Sequence, residues 1–447
     1  MLDITGMAVD QAAIAVSRRA RWGVSRFGVL AFATSRWLPV YGTLVAALLI
    51  VSRRPDAVLH AQFFAEDGKQ NFANVYNHGL LSTLLVPQSG YFAELEVLTA
   101  GIAHLFPLTV APLVMNLIAI IVRVLPVGLL LSDRARPVSE SIKVRGLLAA
   151  LYIVLPGIPE MDATTTNALW YLAVAAVLIL ICDPPKHRST RVFDGVVLAL
   201  CATSGVFAFA LAPLAFVYRR WHRRDTLPWW MIAILAAGAA LQALSLLVLQ
   251  YHLPSGFQGG PRGSYPLHPS ISLFFEILGR RVILDAFGAG TAAPASTLAV
   301  LFGVLGATLA LAAFRNGSPA LRLFLAFATA MLALGLADPS ATWSDLAVPG
   351  VGGRYFMIPQ LATVAIVVHG LASPRQLVRL PALALVVFTC VFTVPTFWSY
   401  PPYARLPFAR EAAQFNSAPP GTTMTFPLNP VTNPKTAPVW TMTLTKR

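Results

Sequence analysis

Charge is what this chain has least of. Only 12% of its 447 residues are Asp, Glu, Lys or Arg and 56% are hydrophobic, whereas about a quarter of a soluble domain is charged. That shortage excludes an ordinary water-soluble fold. Acid is scarcer than base, with 19 Asp and Glu against 33 Lys and Arg and a net charge of +14. Such an excess can mark a nucleic-acid partner. Here, however, Lys and Arg gather in short loops between apolar runs, the pattern of cytoplasmic retention, so the basicity is assigned to topology and no nucleic acid is expected. Cysteine is also scarce. Cys182, Cys201 and Cys390 lie in or beside apolar runs, which excludes a disulfide framework and a thiolate cluster. His78 and His104 lack the fixed spacing of zinc ligands, so no metal is assigned from them, and a divalent ion stays open.

What the chain has in quantity is long apolar runs. Many are long enough to cross about 30 Å of hydrocarbon as helices, which satisfy their own backbone in lipid. An all-α polytopic membrane protein follows. The first run comes after a basic segment (Arg18, Arg19, Arg21, Arg26, Arg36) with no clear small-residue cleavage site. It therefore reads as an uncleaved signal anchor with a cytoplasmic N-terminus. Placing each basic loop inside puts the first span at roughly 37–51 and a long outer loop at about 52–108. Tyr91 to Phe106, helical in pattern but interrupted by two glutamates, reads as a helix along the outer interface. Further spans fall at roughly 109–131, before Pro159 and from Leu169.

As one helix, Asp194 to Val217 would carry the basic cluster Tyr218–Arg224 outside. Two half-length helices turning at Ser204-Gly205 avoid this. Spans follow at roughly 228–249, 296–314, 321–337, 355–371 and 381–397, with Phe274 to Phe287 interfacial or re-entrant. The count is about eleven, with the C-terminus outside. The transmembrane domain is residues 1–397. Residues 398–447 form a Pro-rich extracytoplasmic tail, too short for a separate domain, in which the alternation at Trp440–Leu444 predicts one or two strands.

The ionisable residues sort by side. Arg123 is the one clear charge within a span, and its place near the inner end makes snorkelling its expected role. The outer loops hold paired acids (Glu66/Asp67, Glu160/Asp162), the bases Lys69, Arg262, Arg280, Arg281 and Arg354, and aromatic residues. Phe63-Phe64-Ala65-Glu66-Asp67-Gly68, just after the first span, is the leading candidate for chemistry. Asp-Gly is also an ordinary turn dipeptide, and an acid there can serve as a helix cap.

This plan resembles the membrane glycosyltransferases of fold class C (GT-C), which include protein O-mannosyltransferases and aminoarabinose transferases. In those enzymes a first outer loop carries an acidic pair soon after the first span, where Glu66-Asp67 stands here. A later outer loop enters its span through Arg-Tyr and a proline, as in Gly353-Arg354-Tyr355-Phe356-Met357-Ile358-Pro359. The pair of short helices at Ser204-Gly205 is similar too. The order Glu-Asp departs from the usual Asp-Glu or Asp-Asp and leaves open which acid is the base.

The resemblance implies an inverting glycosyltransferase that moves a sugar from a polyprenyl-phosphate donor to a glycan, lipid or protein acceptor on the extracytoplasmic face of the plasma membrane, in cell-envelope polysaccharide synthesis. Asp67 or Glu66 would be the base. Arg354, Tyr355 and Lys69 would bind the donor phosphate, and Glu160, Asp162, Glu94 and His78 would form an acceptor or second acidic site. Tyr91 and Trp170 are candidates for stacking on a sugar. A lipid-linked-sugar flippase or transporter is the alternative, and it predicts that Glu66 and Asp67 are dispensable for substrate movement.

Overall fold

In a computed structural model of the chain, residues 37–222, 226–258, 265–290, 295–339, 341–431 and 440–447 are described. The N-terminal basic segment, Arg223, Arg224 and Arg262 lie outside them. The described residues are mainly helical, and six of their helices are long and apolar enough to cross a membrane: Ala111–Leu131 (α4), Trp229–Tyr251 (whose α-helical part, α9, is Trp229–Leu247), Ser296–Asn316 (α11), Pro319–Ala337 (α12), Gly353–Leu371 (α13) and Gln376–Phe397 (opening with α14, Gln376–Phe388). Shorter helices stand at the other expected positions. They are Leu38–Arg53 (α1), Ile142–Ile153 (α5), Thr165–Ile181 (α6), Arg188–Ala202 (α7) and Phe207–Trp221 (α8).

Burial sorts these helices. Every residue of α6 except Thr166 is buried, as befits a helix apolar on all sides at the centre of a bundle. By contrast α11 and the Gln376–Phe397 helix turn Leu301, Leu305, Leu309, Leu377, Leu383 and Val391 outward. Apolar residues displayed along most of a helix need lipid rather than water around them. This is a membrane-embedded protein.

The segment between the two late apolar blocks runs as Ile271–Ile277 (α10) into a π-helical stretch, Leu278–Leu284. It crosses α11 at backbone contact. A Cβ on Gly279 would stand 1.8 Å from the Ala299 carbonyl oxygen, and one on Gly303 2.0 Å from that of Phe275. Helix α7 and helix α8 form the expected pair around Gly205, whose φ is +84°. They are longer than half-spans. Fifteen residues rise about 22 Å, and the turn reaches the first outer loop, where Ser204 Oγ accepts from the Leu95 N–H (2.8 Å) and the Phe92 carbonyl accepts from the Gly205 N–H (3.0 Å).

Arg123 does not snorkel. It is 1% exposed, ion-paired to the fully buried Asp162 and hydrogen-bonded to the Tyr171 hydroxyl. A guanidinium in the bundle interior needs such a partner. Pairing with Asp162 supplies one that the spacing of the two residues in sequence does not announce.

The loop between α1 and α4, expected above to be the first outer loop, carries a π-helical turn, Asp67–Phe72, that runs into Ala73–His78 (α2), and then Glu94–His104 (α3). The tail contributes Phe408–Ser417 (α15) and an antiparallel pair, Thr423–Pro427 (β1) with Thr441–Thr445 (β2), in the register Thr425 to Thr443. The strand expected at Trp440–Leu444 is therefore present. The tail is no loose appendage. Its Phe408, Phe415, Phe426, Leu428, Met442 and Leu444 share one hydrophobic core with Phe63, Phe72, Val75, Val97 and Leu108 of the loop.

Candidate functional site

Glu66 and Asp67 are adjacent in sequence but do different things. Asp67 is 1% exposed and holds the N-terminus of α6. Its carboxylate accepts from the backbone N–H groups of Thr165 (3.0 Å) and Thr166 (2.7 Å) and from their hydroxyls (2.6 and 2.5 Å). These are orphan donors at a helix start, next to the positive end of the helix dipole. Burial raises the Asp67 carboxyl above the ordinary range, and the four donated bonds oppose that rise. With both oxygens occupied, Asp67 is placed as an anchor rather than as a base.

Glu66 is left to face the interior. It lines a cavity of about 410 Å³ together with Glu96, Asn167, Trp170, Arg354 and Tyr355. Burial raises the Glu66 carboxyl, its own backbone N–H and the charge of Arg354 pull it down, and Asp67 and Glu160 push it up. A carboxylate and a guanidinium thus line one cavity. Aromatic faces complete the wall. Trp170 packs edge-on against Phe207 (5.1 Å) and Tyr355 (5.8 Å), and Tyr91 and Gly205 also line it.

Arg354 is delivered by a loop that another arginine holds. Arg281 is fully buried, pairs with Asp285 (3.0 Å) and donates to the carbonyls of Leu346 (3.2 Å), Val348 and Val351 (2.8 Å). This fixes the segment just before Gly352, whose φ of +59° starts α13. The Arg354 guanidinium lies over the Tyr355 ring at 5.2 Å. Gly335 leaves room for that ring, since a Cβ there would come within 3.1 Å of it.

Strain collects around the same place. Among the described residues the non-glycine positions with positive φ are Ala65 (42°), Ser89 (52°) and Ala163 (62°). Each costs about 1–3 kcal/mol and persists only where surrounding structure imposes it. Ala65 precedes Glu66, Ser89 lines the cavity, and Ala163 precedes the threonines that hold Asp67. The tail imposes the first: the Asn429 carbonyl accepts from the Ala65 N–H (2.5 Å).

The remaining predicted residues divide. Glu160 stands near Arg354, its Oε1 being 3.6 Å from where a Gly353 Cβ would sit, and its charge acts on both Glu66 and Arg354. Asp162 is withdrawn from any acceptor site by its ion pair with Arg123. Lys69 lies over the Trp440 ring of the tail (5.2 Å) and is not among the residues that line the cavity. His78 contacts the Gly256 carbonyl (3.0 Å) and stacks on Phe257, a role in joining two loops. Glu94 starts α3 and burial pushes it up to about 7, but Glu96 and not Glu94 lines the cavity. Arg280 pairs with Glu276 (3.0 Å).

Glu96 and Asn167 are the residues that reasoning from sequence passed over. Glutamates two apart in an otherwise apolar helix point to different faces, and the polar run Asp162–Asn167 abutting a span was a second signal. Among the described residues, no three or more His, Cys, Asp or Glu side chains gather as metal ligands. No protein-family model matches the chain, and no curated protein matches it.

Proposed function

We propose that this protein is an inverting glycosyltransferase of GT-C type, with about eleven membrane crossings, that takes its sugar from a polyprenyl-phosphate donor. The observation that carries the reading is that Glu66 and Arg354 line one aromatic-walled cavity, with the charge of Arg354 acting on Glu66, between the first outer loop, α6 and the start of α13. The chemistry needs both groups. An acceptor hydroxyl attacks the anomeric carbon, the bond from that carbon to the phosphate oxygen breaks, and the hydroxyl proton passes to Glu66. The departing prenyl phosphate takes the electron pair, and its charge is met by the planar fork of Arg354 on the cavity wall. Asp67 acts through Glu66 as a positioning residue, because it fixes the turn that carries Glu66 against α6. Trp170, Tyr91 and Tyr355 offer apolar faces to a sugar or to the first prenyl units.

The test is transfer of radiolabelled sugar from a panel of polyprenyl-phosphate sugars by purified protein. Glu66→Gln is expected to lower kcat by about 10²–10⁴-fold, the usual contribution of a general base, at unchanged folded yield. Arg354→Lys keeps the charge and loses the fork, so donor KM should rise. If Glu66→Gln transfers sugar as the wild type does, Glu66 is not the base. If no donor is used but labelled lipid crosses vesicle membranes, the flippase reading replaces this one.

A further inference from the structure

The wall of the cavity opposite Arg354 in chemical character is rich in buried oxygen acceptors. Glu96 is 2% exposed and Asn167 1%, both line the cavity, and Glu96 Oε2 and Asn167 Oδ1 have no hydrogen-bond partner within the protein. The orientation of Asn167 is fixed. Its amide NH₂ donates to the Glu160 carbonyl (3.0 Å) and to Thr164 Oγ1 (3.1 Å), which leaves the oxygen over. Asn71, 3% exposed and also on the wall, has an unpartnered Oδ1 as well. Buried acceptors without donors are costly, so their gathering on one wall is a signature of a ligand that brings donors.

We propose that Glu96 and Asn167 seat an uncharged, hydroxyl-bearing ring, the chemistry shared by the donor's glycosyl group and an acceptor sugar. This inference rests on the transferase reading above. A cationic ligand is disfavoured by the state of Glu96. Burial, with the nearby charges of Asp67, Glu94 and Glu66, holds its carboxyl well above the ordinary glutamate range, which favours its protonated form. A neutral carboxylic acid donates one hydrogen bond and accepts another, as successive sugar hydroxyls require. Sites built to bond a hydroxyl discriminate strongly against ligands that lack it, since the buried groups are then left unpaired. The Trp170 and Tyr355 rings beside them supply apolar faces for the ring carbons.

The experiment measures binding to protein in lipid nanodiscs. The probes are a short-chain prenyl phosphate, the same phosphate carrying glucosyl, galactosyl, mannosyl or arabinosyl groups, and the four methyl glycosides. At least one sugar-bearing probe is expected to gain about tenfold or more from its sugar. A gain on the prenyl phosphate identifies the donor's glycosyl group, and binding of a methyl glycoside alone identifies the acceptor. Glu96→Gln, neutral and still a donor, should keep the gain within about threefold. Glu96→Leu should erase it while the bare prenyl phosphate binds as before, and if that variant does not fold, Asn167→Leu decides in the same way. A gain that survives both leucine variants, or that Glu96→Gln loses entirely, overturns the proposal. Bare phosphate bound through Arg354 without any sugar gain overturns this inference alone; failure of wild-type protein to bind any probe overturns it together with the transferase reading.

Discussion

Glu66 and Asp67 show how one peptide bond separates two roles. The first faces a cavity and feels Arg354, while the second is consumed by four hydrogen bonds at the start of α6. A base must be ionised to work, and burial lifts Glu66 above the ordinary glutamate range. The acid limb of kcat against pH should therefore sit above pH 4.5, the unperturbed value. A pH–rate profile that stays flat down to that value would remove Glu66 from the mechanism. Glu96 gives a stability prediction of definite sign. Its folded value is raised well above 4.5, so its protonated form favours folding below that pH, and the contribution is lost as pH climbs through the folded value. Thermal melts of the wild type should fall with rising pH more steeply than those of Glu96→Gln. Equal slopes would mean that Glu96 is solvated.

At the scale of elements, the crossing of the Ile271–Leu284 segment over α11 is the most exacting contact in the bundle. Gly303→Ala places a methyl 2.0 Å from the Phe275 carbonyl oxygen. One of the two helices must move, at a cost of about 1–3 kcal/mol, and a melting temperature equal to the wild type's would show that the helices do not touch there. Helices were the most legible elements in the sequence, because apolar length and the side of each basic loop both report them. The pair around Ser204-Gly205 was legible from a charge conflict alone. The partner of Arg123 was not: Asp162 lies 39 positions on in sequence, and apolar patterning holds no information about which buried charge meets which acid. The site was half legible. Glu66, Arg354 and the turn dipeptide stand out as polar groups beside spans. By contrast Glu96 reads as one more surface acid until the fold shows the face on which it stands. Lys69 and His78, both half-buried, find partners in the tail and in Gly256–Phe257 that no spacing in the sequence predicts.

For the whole molecule, the shared core of the first outer loop and the tail is a constraint on topology. Phe63 and Phe426 cannot sit in one cluster unless the chain crosses the membrane an even number of times between them. In a background with Cys390 replaced by serine, cysteines at the exposed Ser82 and Ser417 should react with an impermeant reagent from the same side. Ser344, before α13, should join them, and Ser373, after it, should react from the opposite side. Opposite labelling of Ser82 and Ser417 would dismantle the second core and the site with it. The same union of distant segments governs when the molecule can first become competent. Asn429 donates to Gln62 across 367 residues and also braces Ala65, the neighbour of Glu66. A ribosome emits residue 62 long before residue 429. The first loop must therefore wait, with the face of Phe63 that meets Phe408 uncovered, until the tail is synthesised and joins it.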